Sequence, residues 1–311
     1  MTFDVADLPG RAQELNKAAN DAASDTFDPQ IGYAPNYVTS DDEVLGIYND
    51  FLDAPAPEDF SWAAEGLLKA MRKLATSGFN ANKQGDKPDH PNLEPGNNDL
   101  TGVDAAGVEV EDWTGDAADA FFLNYGEKFV PTASNQFCAY YVLRHAVNAE
   151  AAVWQTARDD LDKLSKDAIE QMRHVADSNQ DDWTNALSVA GAVVAIGGAI
   201  PTAGATLSGW AVVGAGVTVA STGMGLAKKE EKKKDPLALA NGNPQEIIRE
   251  VKRALGEIKK EIKSGEEEIK RVVEDAVNTI DGSWKEFCLP RPALADVPRK
   301  DIYSPENMGG V

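Results

Sequence analysis

The feature that most limits how this chain can fold is a long stretch with no charged side chain. Residues 186–227 contain no Asp, Glu, Lys or Arg and are rich in glycine and alanine. Pro201 interrupts the stretch near its middle, so the pattern predicts two apolar helices joined by a turn, which we call the apolar hairpin. A segment of this composition is not expected to stay in water, and the rest of the chain must be arranged around it.

The apolar hairpin could be buried within the protein or inserted in a membrane, and the sequence leaves both open. Its many small residues let helix backbones approach closely. Its first arm, residues 186–200, would be about 22 Å long as a helix, which is shorter than the roughly 30 Å hydrocarbon core of a bilayer. The residues expected to meet either a protein core or lipid lie at the turn and at larger apolar positions: Ile196, Ile200, Pro201, Trp210 and Val213.

A coiled-coil-like helix is predicted after the apolar hairpin, over residues 244–288. Its apolar positions alternate three and four residues apart, with Lys and Glu filling most other positions. They are Ile248, Val251, Leu255, Ile258, Ile262, Gly265, Ile269, Val272 and Ala276. Gly265 is the weak position of this face, since glycine inside a helix costs about 1 kcal/mol relative to alanine.

A second long helical region precedes the apolar hairpin. Residues 117–183 have a helical composition, with a break predicted near Pro131. Their apolar face is predicted at Leu161, Leu164, Ala168, Met172 and Val175. The chain returns through the apolar hairpin, so the two long helices should pair antiparallel. We therefore predict an all-α fold, an elongated helical bundle of long antiparallel helices with an apolar Gly/Ala-rich helical hairpin.

The antiparallel arrangement places the two cysteines, Cys138 and Cys288, near the same end of the bundle. A disulfide between them is geometrically reasonable, and two free thiols are the alternative. Two cysteines without CxxC spacing provide neither a disulfide framework nor a zinc site.

The remaining boundaries follow changes in composition. The predicted segments are an N-terminal arm with short helices (1–56), a helical hairpin (57–184), the apolar hairpin (185–227), a charged linker (228–243), the coiled-coil-like helix (244–288) and a proline-rich tail (289–311).

Charge and motifs exclude several classes of function. The chain has 51 acidic and 30 basic residues, and its net charge of -21 repels nucleic-acid phosphates. No GxSxG, phosphate-binding loop or HExxH motif is present, and the carboxylates lie beside lysines on helix faces. We expect no enzymatic activity, no cofactor, no metal, no nucleic acid and no small-molecule substrate.

A tryptophan and a glycine two positions apart, Trp113 and Gly115, lie between a helix with its long loop and the next helical run. The tryptophan can pack as an anchor while the glycine lets the chain turn into the new helix. Residues 57–184 thereby resemble the Trp-x-Gly (ESX-type) family of type VII secretion substrates of Gram-positive bacteria. The resemblance implies a helical hairpin that pairs with a second hairpin, export without a cleaved signal peptide, and no enzymatic role for the hairpin.

The expected function is that of a secreted, non-enzymatic helical protein acting by protein association through its helical faces. The first residues show no basic region followed by an apolar one, so we expect secretion without a cleaved signal peptide, with a cytoplasmic location as the alternative. The other candidates are an α-helical pore-forming or membrane-inserting protein that uses residues 186–227, and a structural or virion-associated helical protein.

Overall fold

A computed structural model of the chain describes residues 3–25, 41–76, 78–80, 93–100, 102–103, 114–115, 119, 121–176, 186–187, 237–238 and 244–289. This part of the chain is helical apart from two antiparallel pairs of two-residue strands. The all-α fold class predicted from the sequence is confirmed.

The helices that organise the fold are α1 (Leu8–Asp25), α2 (Asp41–Leu45), α3 (Ser61–Leu74), α4 (Glu127–Ala176), α5 (Pro244–Gly282) and α6 (Trp284–Phe287). Short 3-10 helices span Val5–Asp7, Asn49–Phe51 and Pro57–Phe60, and a π-helix spans Phe122–Gly126. The strands are β1 (Phe79–Asn80) paired with β2 (Leu93–Glu94), and β3 (Ala186–Leu187) paired with β4 (Leu237–Ala238).

The break predicted near Pro131 is wrong, because Pro131 lies inside α4, a continuous helix of 50 residues. The π-helix Phe122–Gly126 ends shortly before it, and the Glu127 N–H donates to the Phe122 carbonyl in the wider π turn. The helical hydrogen-bond pattern is already altered at this point. The N–H that proline lacks therefore costs less here than it would in the regular interior of a helix.

The chain divides into two compact units. The first contains the described residues up to Phe60, the later part of α4 from Ala149, and the earlier part of α5 up to Glu268. The second contains Ser61–Asn148 and the later part of α5 from Ile269.

The core of the first unit is built from helix faces with regular spacing. In α1 the buried residues recur four and three positions apart, at Leu8, Ala12, Leu15, Ala19 and Ala22. In α4 the predicted face is confirmed, since the side chains of Leu161, Leu164, Ala168 and Met172 are fully buried.

Most of the apolar face predicted for α5 is also buried, while Gly265 and Ile269 are half-buried. In the first unit the buried face is wider than a two-helix seam. Ile247 and Ala254 are buried there beside the heptad positions. The extra width arises because the segment 41–51 lies along α5. Lys252 of α5 forms an ion pair with Glu43, and Lys259 forms one with Asp50, one heptad further along both segments.

The segment described from sequence as an N-terminal arm is part of this core. Besides the α1 face, it contributes the buried side chains of Val44, Tyr48 and Phe51. Asn16 of α1 donates to a carboxylate oxygen of Asp41 over 3.0 Å, which joins α1 to α2. Short helices that cannot bury an apolar face alone gain stability by covering the long ones.

The second unit packs α3, the earlier part of α4 and the later part of α5 around one core. Its buried residues are Met71, Ala75, Phe137, Cys138, Tyr141, Val142, Val272, Ala276 and Phe287. The side chain of Asn135 donates to the Glu286 carbonyl over 2.8 Å, and that of Gln136 donates to the Phe287 carbonyl over 2.7 Å. These bonds hold α6 against α4.

The end of α3 is fixed by the chain that follows it. β1 pairs with β2 so that Phe79 faces Glu94, and Arg72 of α3 donates to both carboxylate oxygens of Glu94 over 2.8 Å. The Asn97 side chain donates to the Lys73 carbonyl over 2.8 Å, which satisfies one of the free carbonyls at the end of α3.

Candidate functional site

Gly115 of the Trp-x-Gly element has the backbone conformation that a turn residue needs. Its φ angle is 105°, in the region where a Cβ atom causes strain and glycine is favoured. The Gly115 carbonyl accepts a hydrogen bond of 3.0 Å from the Asp119 N–H, the spacing of an α-helical turn.

Trp113, the other half of this element, lies outside the described residues. The helices on either side of the element do pack together, since Met71 of α3 shares a core with Phe137, Tyr141 and Val142 of α4. The role of Trp113 as the anchor of a hairpin turn stays a prediction.

Cys138 and Cys288, for which the sequence left a disulfide or two free thiols as alternatives, are free thiols in the second unit. Cys138 is buried in the core, where burial raises the pKa of its thiol to about 12. Cys288 is half-buried and directly follows Phe287, which packs in the same core. A reactive cysteine has a lowered pKa, so the environment of Cys138 is the reverse of what a nucleophilic thiol requires.

The residues predicted to meet a core or a membrane, Ile196, Ile200, Pro201, Trp210 and Val213, lie outside the described residues. Two residues at the start of the apolar hairpin are described. Ala186 pairs with Ala238 and Leu187 with Leu237 in the antiparallel β3–β4 pair. Both strands of this pair belong to the first unit. Among the described helices, none is long and apolar enough to cross a membrane.

Gly265 is the weak position of the predicted seam. Among the described glycines of the first unit, it marks the closest approach of α4 and α5. A Cβ atom placed on Gly265 would lie 2.8 Å from Cγ2 of Val153 and 3.4 Å from its Cγ1. Real Cβ atoms essentially never come within 3.0 Å of another heavy atom. The glycine therefore lets the two long helices pack closely, which the sequence alone did not indicate.

Sequence reasoning also missed a group of polar side chains inside the first unit. Arg158 of α4 is buried, and its guanidinium donates to the carbonyls of Ala54 and Pro55 over 3.4 Å and of Phe3 over 3.3 Å. One side chain thereby ties two separate parts of the N-terminal segment to α4. No sequence signal distinguishes Arg158 from the exposed arginines, because its partners are backbone atoms distant in sequence.

A second arginine of the first unit, Arg11, links α1 to α4. It donates to the Asp162 carbonyl over 2.9 Å and to the Ser165 hydroxyl over 2.5 Å, and it forms an ion pair with the Asp162 carboxylate. Burial would raise the pKa of Asp162, but hydrogen bonds from Lys166 and Arg11 outweigh it, and the pKa lies below its ordinary value. Arg11 also lies 4.8 Å from the centre of the Phe3 ring.

The second unit contains an aromatic and cationic group on α4. The rings of Tyr141 and His145 lie 4.2 Å apart between centres and are tilted by 50°. The His145 Nε2 atom is buried and has no hydrogen-bond partner in the part of the chain that the structure describes. Arg144 is next to His145 in the chain and helps to lower its pKa. Hydrogen bonds from Arg72 hold the pKa of Glu94, which lies near Arg144, below its usual range.

These groups do not converge as a catalytic site would. Cys138, Tyr141 and His145 follow one another along a face of α4, but the burial that raises the pKa of Cys138 opposes ionisation of the thiol. Across the described ranges, no group of three or more His, Cys, Asp or Glu side chains could hold a metal ion. What the geometry offers is packed helical faces and a glycine turn.

Comparisons with known proteins add nothing to this geometry. No protein-family model matches the chain, and no curated protein or solved structure matches it significantly.

Proposed function

We propose that this protein is a secreted, non-enzymatic helical protein of the type VII secretion kind, which acts by associating with other proteins through its helical faces. The observation that carries the proposal is the conformation of Gly115 in the Trp-x-Gly element. Its φ angle is 105°, and its carbonyl accepts a hydrogen bond from the Asp119 N–H. The described part of the hairpin offers packed helical faces, which suit recognition of another protein.

The packing of α3 on α4 supports the same proposal. A Trp-x-Gly hairpin needs two helices that bury an apolar face against each other. Met71 of α3, with Ala75 just beyond the end of that helix, shares a buried core with Phe137 and Tyr141 of α4. α3 is short, with 14 residues against the 50 of α4, so most of α4 is left for other contacts. The later part of α4 uses its apolar face in the first unit.

Export tests this proposal directly. In a Gram-positive bacterium with an active type VII system, the chain should accumulate in the culture medium, and disabling that system should retain it in the cells. Trp113→Ala and Gly115→Ala should each reduce export severalfold. The matched control is Trp62→Ala, because Trp62 is 77% exposed on α3 and lies outside the element, so its export should be unchanged.

Two results would contradict the proposal. One is a chain that stays inside cells of the intact strain although it is folded by circular dichroism. The other is export that the Trp113 and Gly115 substitutions reduce no more than the Trp62 substitution does.

A second candidate, a membrane-inserting protein, is favoured by the β3–β4 pair. This pair joins residues 186–187, at the start of the charge-free stretch, to residues 237–238, which follow the charged linker. The described chain on either side of the stretch and its linker is therefore held together, as insertion of a helical hairpin requires. Liposome flotation with dye release should compare the full chain with one in which a short Gly/Ser linker replaces residues 188–227. Leakage that disappears with the segment would favour insertion, and a full chain that ignores liposomes would remove this candidate.

A further inference from the structure

His145 is placed where its neutral form is tolerated and its charged form is not. Its Nε2 atom is buried without a hydrogen-bond partner in the described chain, and its ring lies against Tyr141, which is itself buried. A neutral imidazole leaves one weak acceptor unpaired in this position. An imidazolium would have a buried N–H donor and a full charge to satisfy.

The charged side chains around this site do not offset such a charge. Arg144 of α4 acts on His145 directly, and Arg72 of α3 and Glu94 of β2 act on Arg144. The one carboxylate among them gives both of its oxygens to Arg72 over 2.8 Å. The titratable neighbours on α4 itself are Cys138 and Tyr141, and the charged residues that flank the α5 part of the core, Arg271 and Asp275, are exposed.

The ring of Tyr141 connects His145 to the rest of the second unit. Tyr141 packs in the same core as Met71 of α3 and Ala75, which directly follows that helix. The half-buried His145 has its Nε2 atom buried, and an imidazolium there gains most by moving this atom away from the Tyr141 ring and into water. Movement of that ring would loosen the contact between α3 and α4.

We propose that His145 is an acid-sensitive latch, which keeps α3 packed on α4 at neutral pH and releases it in acid. Release would expose the apolar side chains of Met71, Phe137 and Val142, which are buried in the closed unit. The proposal goes beyond the association function and does not depend on it, since it concerns how the second unit responds to pH whatever its partner is.

Burial, with a contribution from Arg144, lowers the pKa of His145 from 6.5 to about 4 in the closed unit. In the open state the ring is exposed and takes up a proton near its ordinary pKa. The closed unit therefore has its full stability above about pH 6.5 and loses it as the pH falls towards 4. Between pH 7.5 and pH 5.0 this linkage should shift the equilibrium towards the open state by about thirtyfold.

Hydrogen exchange of the full chain at pH 7.5 and 5.0 tests the latch, after correction for the intrinsic pH dependence of exchange. Amide protection in α3 should fall about thirtyfold in the wild-type chain. His145→Phe keeps a ring against Tyr141 without a titratable nitrogen, and its protection should fall less than threefold. His174→Gln is the matched control, because His174 is an exposed histidine on the same helix and its loss should leave the thirtyfold change intact.

The latch is overturned if His145→Phe shows the same loss of protection as the wild-type chain, or if the wild-type chain shows none. Should His145→Phe fail to fold, NMR titration of the wild-type histidines decides instead. A His145 ring that changes protonation near pH 4 supports the latch, and one that does so near pH 6.5 overturns it.

Discussion

The contact between Gly265 and Val153 provides the sharpest test of how the long helices pair. Gly265→Ala would ordinarily stabilise a helix by about 1 kcal/mol, because alanine has the higher helix propensity. Here the new methyl group would lie 2.8 Å from Cγ2 of Val153. Val153 is buried, and a β-branched side chain in a helix has one strongly preferred rotamer, so its methyl groups cannot move away cheaply.

Overpacking of a core costs about 1–3 kcal/mol, so Gly265→Ala should destabilise the first unit by about 1 kcal/mol after the gain in propensity. Val153→Ala alone should cost about 2 kcal/mol through the lost side chain. In the Val153→Ala background the methyl group at position 265 has room, and Gly265→Ala should then stabilise by about 1 kcal/mol. The predicted coupling between the two substitutions is therefore about 2 kcal/mol.

Gly256 is the control, because it lies on the same helix and a Cβ atom there would meet nothing within 4 Å. Gly256→Ala should stabilise by about 1 kcal/mol in both backgrounds and show no coupling to Val153. The measurement is native-state hydrogen exchange of α5 amides in the first unit, which reports its opening free energy. If Gly265→Ala stabilises as Gly256→Ala does, and adds independently to Val153→Ala, the close-packing explanation is refuted.

The remaining predictions concern buried groups of the two units. Tyr48→Phe should raise the free energy of unfolding of the first unit by about 1 kcal/mol, because the Tyr48 hydroxyl is buried without a hydrogen-bond partner in the described chain. A urea titration that shows a lower free energy of unfolding would contradict this. Arg158→Ala should destabilise the first unit by about 3 kcal/mol, since three backbone carbonyls lose their donor. A protease should then cut the N-terminal segment faster. An unchanged rate of cleavage would show that Arg158 does not hold this segment on α4. With a thiol reagent at pH 8, Cys138 should react at least tenfold more slowly than Cys288, because burial raises the pKa of the Cys138 thiol to about 12. Equal rates of modification, measured by mass spectrometry, would contradict this and show that the core of the second unit opens readily.

The helices were accessible from sequence because their signal is local. The spacing of Leu161, Leu164, Ala168 and Met172 is a property of one segment, and burial of these residues in α4 follows it directly. The α5 face was predicted in the same way. Pro131 misled the prediction, since whether a proline ends a helix depends on the turn before it, and a π turn has no clear sequence signal.

The candidate site was accessible only in part, and for a related reason. Gly115 could be proposed as a turn residue, because a positive φ is something that glycine permits in any context. The partners of Gly265, Arg158 and His145 could not be proposed. Each depends on a residue or backbone atom brought near by folding, and no spacing along one segment encodes such a partner.

The sequence by itself determined that this chain is helical, which faces of its long helices are apolar, and that one charge-free stretch separates them, because these properties follow from side-chain chemistry read at helical periods. The tertiary structure alone decided that the N-terminal segment belongs to a core and that the glycine of the seam is a point of close approach. It also decided that the Nε2 atom of His145 is buried with no hydrogen-bond partner among the described residues. The physical reason is that desolvation and steric contact act between neighbours in space, and those neighbours exist only once the chain has folded.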